Sequence, residues 1–141
     1  MTADLLESLR ALKHPRVLVV GDLILDRYTT GNAERISQES PVIVLRADHR
    51  EARLGGAANV ANMLRGLEAE VTIAGVVGED SAARELTDLL HARQCDGSLV
   101  LSDPTRPTTV KERFVGRAAA RHLNQILRVD SERTDPLPAE L

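Results

Sequence analysis

Aromatic residues are nearly absent from this 141-residue sequence, where Tyr28 and Phe114 are the whole complement. The stacking platforms that single-stranded nucleic acid binding uses are therefore missing. Cys95 stands alone, so no internal disulfide can form, and a reducing compartment, the cytoplasm, is expected. The histidines at 14, 49, 91 and 122 include no pair at metal-ligand spacing, and no metal site of His and Cys is expected. Neither a Gly-x-Ser-x-Gly turn nor a Cys and His pairing offers a nucleophile. No apolar run approaches the roughly 20 residues that span a bilayer, and Met1 to Leu12 lacks the charged-then-apolar order of a signal peptide. No membrane partner is expected. Excess charge of one sign is missing too: 18 basic residues face 21 acidic ones, for a net charge of −3. Without a global positive field, nucleic acid is not an expected partner.

What is present reads as one folded domain. Apolar residues make up 43% and charged residues 28%, close to ordinary soluble domains. Leu5, Leu6, Leu9 and Leu12 recur at helical spacing and predict a helix that lays one face on the body of the domain, ended by Pro15. Arg16 to Gly21 is β-branched and nearly all apolar, as a strand covered on both faces would be. From Arg27 to Arg53, extended pieces are broken by Gly31, Asn32 and Pro41, which predicts a small exposed β excursion. Gly55 to Leu67 reads as a helix close to a sheet, and Glu70 to Gly78 as a second core strand. Asp80 is a candidate cap for a helix burying Ala83, Leu86, Leu89 and Leu90. Ser98–Leu101, Thr109–Val115 and Gln125–Val129 read as further strands, with a turn at Gly116-Arg117-Ala118, and the tail from Ser131 reads as a frayed end or a cut. Strands alternating with helices give an α/β fold with a mostly parallel central sheet.

The richest segment is Leu54-Gly55-Gly56-Ala57-Ala58-Asn59-Val60-Ala61-Asn62. Two glycines let a ligand approach the backbone, and the helix they open offers free N–H groups to an oxygen-rich ligand. Asn59, one turn in, can donate to and accept from a hydroxyl. A plain glycine turn, with Asn59 bonding the backbone, is the other reading, and the residues alone leave both open.

Gly55-Gly56-Ala57-Ala58-Asn59-Val60-Ala61, followed by Gly78, is similar to the N-terminal signature of the ribokinase-like (PfkB) sugar kinases. Glu68 stands where that pattern usually carries Gly or Ser, at the turn leaving the helix. Val19 to Asp26 resembles the family's opening strand, whose terminal Asp binds sugar hydroxyls; the resemblance gives Asp26 that role. Asp22 lies four residues earlier and, on one extended strand, would face the same side, as a ligand or as a turn-stabilising residue. Asp26-Arg27-Tyr28 with Arg35 to Val44 resembles the lid of heptose 7-phosphate kinases, including the kinase half of bifunctional ADP-heptose synthesis enzymes. That lineage usually has Pro where Gln38 and Ile43 stand.

The resemblance runs from about residue 14 to about residue 132 and implies a ribokinase-like layered fold with a small β lid at about 27–53. It implies the sugar-recognising, N-terminal part of an ATP-dependent kinase that phosphorylates heptose 7-phosphate at the anomeric oxygen, for lipopolysaccharide core precursors. Other PfkB kinases, of ribokinase or fructokinase type, and a non-catalytic sugar-binding module are the alternatives. Thr108 to Arg113 and Gln125 to Asp130 resemble the family's next strands. Lys111, Arg113 and Arg117 are expected to meet phosphate or sugar, unless they are merely an exposed charged face. Dimerisation through the lid is expected of the full-length enzyme. The family's catalytic Asp lies in a Gly-Ala-Gly-Asp turn, which occurs nowhere here, and no Walker loop replaces it. The expected site is therefore Asp22, Asp26, Gly55, Gly56, Asn59, Lys111, Arg113 and Arg117. Sites for ATP and Mg2+ are expected to be incomplete, and the 141 residues alone inactive.

Overall fold

A computed structural model describes residues 2–117 and 122–138, without the side chains of residues 2–4 and 9. Its elements are α1 (Thr2–Ala11), β1 (Arg16–Val20), β2 (Leu23–Ile36), β3 (Ile43–Gly55) and α2 (Gly56–Gly66). They continue with β4 (Glu70–Val77), α3 (Ser81–Ala92), β5 (Asp96–Ser102), β6 (Thr109–Arg117) and β7 (Leu123–Ser131).

Helical crossovers force parallel pairing, and the inner sheet, in the order β1-β4-β5, is parallel throughout. Val19, Val71, Ile73 and Val77 of this sheet meet Ala58 and Ala61 of α2 and Ala82, Leu86 and Leu90 of α3 in one core. Alanine at 58 and 61 lets α2 lie close on the strands. The outer sheet, in the order β3-β2-β6-β7, is mixed: β2 is parallel to β6, and both outer pairs are antiparallel. The fold is α/β, with the β2–β3 pair as its excursion. Gly31 and Asn32 do not end β2; they sit at register shifts within it, so the strand runs on through bulges.

Four expectations are corrected. The opening strand does not run to Asp26. Gly21 N–H donates to Ala74 O at 3.2 Å, Ala57 N–H donates to Asp22 O at 2.9 Å, and the chain leaves the inner sheet between them. Asp26 is thus the fourth residue of β2 in the outer sheet, and Asp22 lies in the joint rather than on a shared strand. Next, β1 is covered on one face: Leu18 and Val20, with Leu99 and Leu101 of β5, are exposed on the other, because α2 and α3 cover the Val19 side. Helix α1 forms, but Leu5, Leu6 and Leu12 are 69%, 53% and 61% exposed, so these three are not laid on the body of the domain. Gly116 and Arg117 belong to β6, paired with Asn124 and Leu123, and Ala118 lies outside the described residues.

Asp80 caps α3, its Oδ1 accepting from Ala83 N–H at 2.8 Å. The same carboxylate accepts from the Thr108 N–H at 2.9 Å and hydroxyl at 2.8 Å, and that hydroxyl accepts from Gly78 N–H. Burial pushes the Asp80 carboxyl up, but the bonds from Thr108 and Ala83 outweigh it and hold the group below its usual range. Gly78 is required because a Cβ there would sit 2.5 Å from Arg106 O and 2.7 Å from Thr108 N. Burial also pushes the Cys95 thiol up, which suits an unreactive core residue.

Candidate functional site

The two sheets meet where Gly21-Asp22 leaves one and Gly55-Gly56 leaves the other. Gly55 ends β3 in extended backbone and serves as N-cap of α2 without a side-chain bond. Gly56 holds φ +54°, and a Cβ there would run into Asp22 O. A Cβ on Gly55 would sit 2.7 Å from Asp26 Oδ2, so the absence of a side chain lets the carboxylate rest at the mouth of α2. Asp22, Asp26, Gly55 and Gly56 are therefore brought together.

Across the outer sheet, Asp26 stands in a row with Arg53 of β3 and Lys111 of β6. One step along, Tyr28 stands between Glu51 and Arg113. Arg113 Nη1 bonds Asp26 Oδ1 at 2.5 Å, with both side chains 20% exposed. That bond holds the guanidinium above its usual pKa. The Arg53 and Arg113 guanidinium groups lie 4.9 and 5.3 Å from the Tyr28 ring centroid, within cation–π range. Lys111 Nζ lies 3.6 Å from Asp130 and 3.5 Å from Glu132. Lys111 and Arg113 share one face of β6, the first engaged by two carboxylates and the second by one, which an anionic ligand would have to replace.

Asn59 is exposed one turn beyond Gly55 on the same side of α2, with its Nδ2 3.9 Å from Met63 Sδ. Arg117 is not part of this group. It lies four residues beyond Arg113 in β6 and bonds Asn32 at 3.3 Å and Asp48.

A cleft of about 560 Å³ opens at the carboxyl ends of β1 and β4, where open α/β sheets hold ligands. Asp22, Ile24 and Lys111 line it, and residues 132–137 form its far wall. Arg106 holds that wall by bonds to Asp135 O and Pro136 O at 3.4 and 3.3 Å, and Arg133 by a 2.9 Å bond to Thr105 O. Lys111, the strand neighbour of Asp26, and Ile24, beside Gly55, join the cleft to the carboxylate row. Sequence reasoning missed Arg53, although its place two residues before Gly55 put it on that residue's side of the strand. It also missed Arg106 and Arg133, which carry no pattern in the sequence.

Residues 14–139 match the pfkB family carbohydrate kinases. The bifunctional protein HldE of Helicobacter pylori (strain Shi470) is 48% identical over 126 residues, covering 89% of this chain and 26% of that protein. The D-beta-D-heptose 7-phosphate kinase of Bordetella bronchiseptica is also 48% identical over 126 residues, covering 89% of this chain and 38% of that protein. This chain thus spans well under half the length of these curated relatives. Among solved structures, a putative sugar kinase from Clostridium perfringens superposes with a TM-score of 0.63 at 13% identity, covering 86% of this chain and 36% of that one. Arabidopsis thaliana ribokinase complexed with ribose and ATP gives 0.62 at 19% identity, covering 84% and 37%. These two likenesses show the fold, and the family match together with the sequence relatives shows the lineage: the chain belongs to the pfkB family of carbohydrate kinases.

Proposed function

We propose that this chain is the sugar-recognising part of an ATP-dependent kinase that phosphorylates D-glycero-β-D-manno-heptose 7-phosphate on its anomeric oxygen. The reading places it in the cytoplasm, in ADP-heptose synthesis for the lipopolysaccharide core, as a dimer through the β2–β3 excursion. Its supports are the 48% identity to a protein named as a heptose 7-phosphate kinase and the seat of Asp26 against Gly55. Asp26 accepts hydrogen bonds from two sugar hydroxyls, while the first-turn N–H groups of α2 and the Asn59 amide hold others. Lys111 and Arg113 exchange their carboxylate partners for the 7-phosphate, a charge-assisted contact of the kind that fixes a substrate's orientation. ATP supplies the transferred phosphoryl group. Among the described residues no group of three or more His, Cys, Asp or Glu side chains could hold a metal ion, and no residue of this chain is assigned to magnesium.

The 141 residues carry no Gly-Ala-Gly-Asp turn and thus no base for the acceptor hydroxyl. The purified chain with heptose 7-phosphate, ATP and magnesium is expected to show no turnover, while calorimetry with the sugar phosphate alone shows saturable binding. A chimera with this chain in place of the matching segment of the Bordetella kinase should phosphorylate heptose 7-phosphate in preference to ribose or fructose. In that chimera Lys111→Ala raises the heptose phosphate KM by about tenfold or more, as expected for a lost contact of ~1.4 kcal/mol. A preference for ribose, or an unchanged KM, overturns the corresponding part of the reading.

A further inference from the structure

Exposed apolar side chains stand on two helices whose C-terminal ends are linked. Leu5 and Leu6 of α1 and Leu12, one residue past its end, are exposed. Val60, Met63 and Leu67 form a stripe at helical spacing along the outer side of α2 and its C-cap, 48%, 64% and 73% exposed, opposite the buried Ala58 and Ala61. A helix of ten residues is marginal in water on its own, so α1 needs a surface to persist. The foot of α1 is already pinned beside that stripe, because His14 Nδ1 donates to Glu68 O at 3.1 Å, one residue past Leu67.

We infer that α1 folds down along α2 and covers Val60, Met63 and Leu67 as an intramolecular strap. With the C-terminal ends of both helices held together at His14 and Glu68, the pairing is parallel. Leu12 then lies beside Leu67, and Leu5, seven residues back, lies beside Val60, also seven residues back; both intervals rise by about 10.5 Å. Lys13, at φ 51°, and His14 form the joint that lets the strap close. The first turn of α1 reaches Val60, next to Asn59, whose amide already lies against Met63 Sδ. The strap thereby steadies the helix that carries Gly55, Gly56 and Asn59 at its other end. A second copy of the chain, or the open face of the inner sheet at Leu18 and Val20, are the competing partners for α1.

Paired cysteines test this in the full chain with Cys95→Ser, which leaves the introduced thiols alone to react. Leu5→Cys with Val60→Cys, and Leu12→Cys with Leu67→Cys, should form disulfides within one chain at least tenfold faster than between chains at micromolar concentration. Leu5→Cys with Val20→Cys should form none. Cross-links between chains alone, a Leu5 to Val20 cross-link, or no cross-link in either pair each overturn the strap. Independently, Met63→Lys should speed amide exchange in α1 at least tenfold while the inner sheet keeps its protection, and unchanged α1 exchange refutes the docking.

Discussion

Arg113 of β6 reaches across to β2 and closes on Asp26 at 2.5 Å, so the carboxylate that faces Gly55 is held from the side by a guanidinium. With both groups four-fifths shielded, the pair lies between the exposed and the fully buried cases. Arg113→Ala should therefore lower stability by about 1–2 kcal/mol in urea unfolding. The Asp26→Ala, Arg113→Ala double variant should lose less than the sum of the two singles, and strict additivity counts against the coupling.

Asp80 links acid sensitivity to one joint. Its carboxyl sits below the ordinary value of 3.8, because the bonds from Thr108 and Ala83 outweigh burial. A lowered folded-state pKa means stability that is complete above the ordinary value and lost as pH falls through the folded one. Asp80→Ala should cost about 2–3 kcal/mol at pH 7, from the lost cap and the orphaned Thr108 N–H. The gap to the parent chain should narrow below about pH 4, and a gap constant down to pH 2 would show that the carboxylate charge is not the cause.

Glu68, just past the C-cap of α2, holds φ 65°, the left-handed region that favours glycine. Replacing Glu68 by Gly relieves about 1–2 kcal/mol of strain and gives back part of it as unfolded-chain entropy. A net gain of about 0.5–1 kcal/mol is expected, visible as a higher Tm. The same change at Gln94, at φ 56° after α3, should act alike unless loss of its bond to Arg65 offsets the gain.

Two glycines of α2 should respond oppositely to one methyl group. At Gly56, φ +54° and the crowding from Asp22 O make Gly56→Ala cost about 2 kcal/mol or more. At Gly66 a Cβ meets nothing within 4 Å, and Gly66→Ala should add about 0.5–1 kcal/mol through helix propensity. Denaturant midpoints moving the same way for both would show that the Gly56 backbone is not constrained as described.

The sequence marked out β1 and β4 through short, nearly all-apolar runs, α2 through its small residues, and α3 through the helical spacing of Ala83, Leu86 and Leu90. It marked Gly55, Gly56 and Asn59 through one short motif, and Asp26 through a separate stretch, Val19 to Asp26, that resembles the family's opening strand. The break between β1 and β2 stayed hidden because Leu23, Ile24 and Leu25 continue the apolar run; the switch of sheets is set by the distant Ala74 and Ala57. The exposure of α1 and of Leu18 and Val20 was equally illegible, since apolar spacing says that a face seeks cover and not whether cover is present. Thr108 gave no signal either, because its worth lies wholly in Gly78 and Asp80, about 30 residues away.

The joints at Gly21-Asp22 and Gly55-Gly56 lie side by side, with Leu23 paired to Gly56, and they act as a common axle for the outer sheet. Asp26 is four residues from this axle, about 13 Å along the strand, whereas Ile36 at the far end of β2 is fourteen residues out, about 46 Å. A given rotation therefore sweeps the tip more than three times as far as the carboxylate. Bending at these joints would thus move the rim far more than the seat of Asp26, beside which Leu25, Leu54 and Val110 are packed into the core and Arg27 bonds Glu85 of α3.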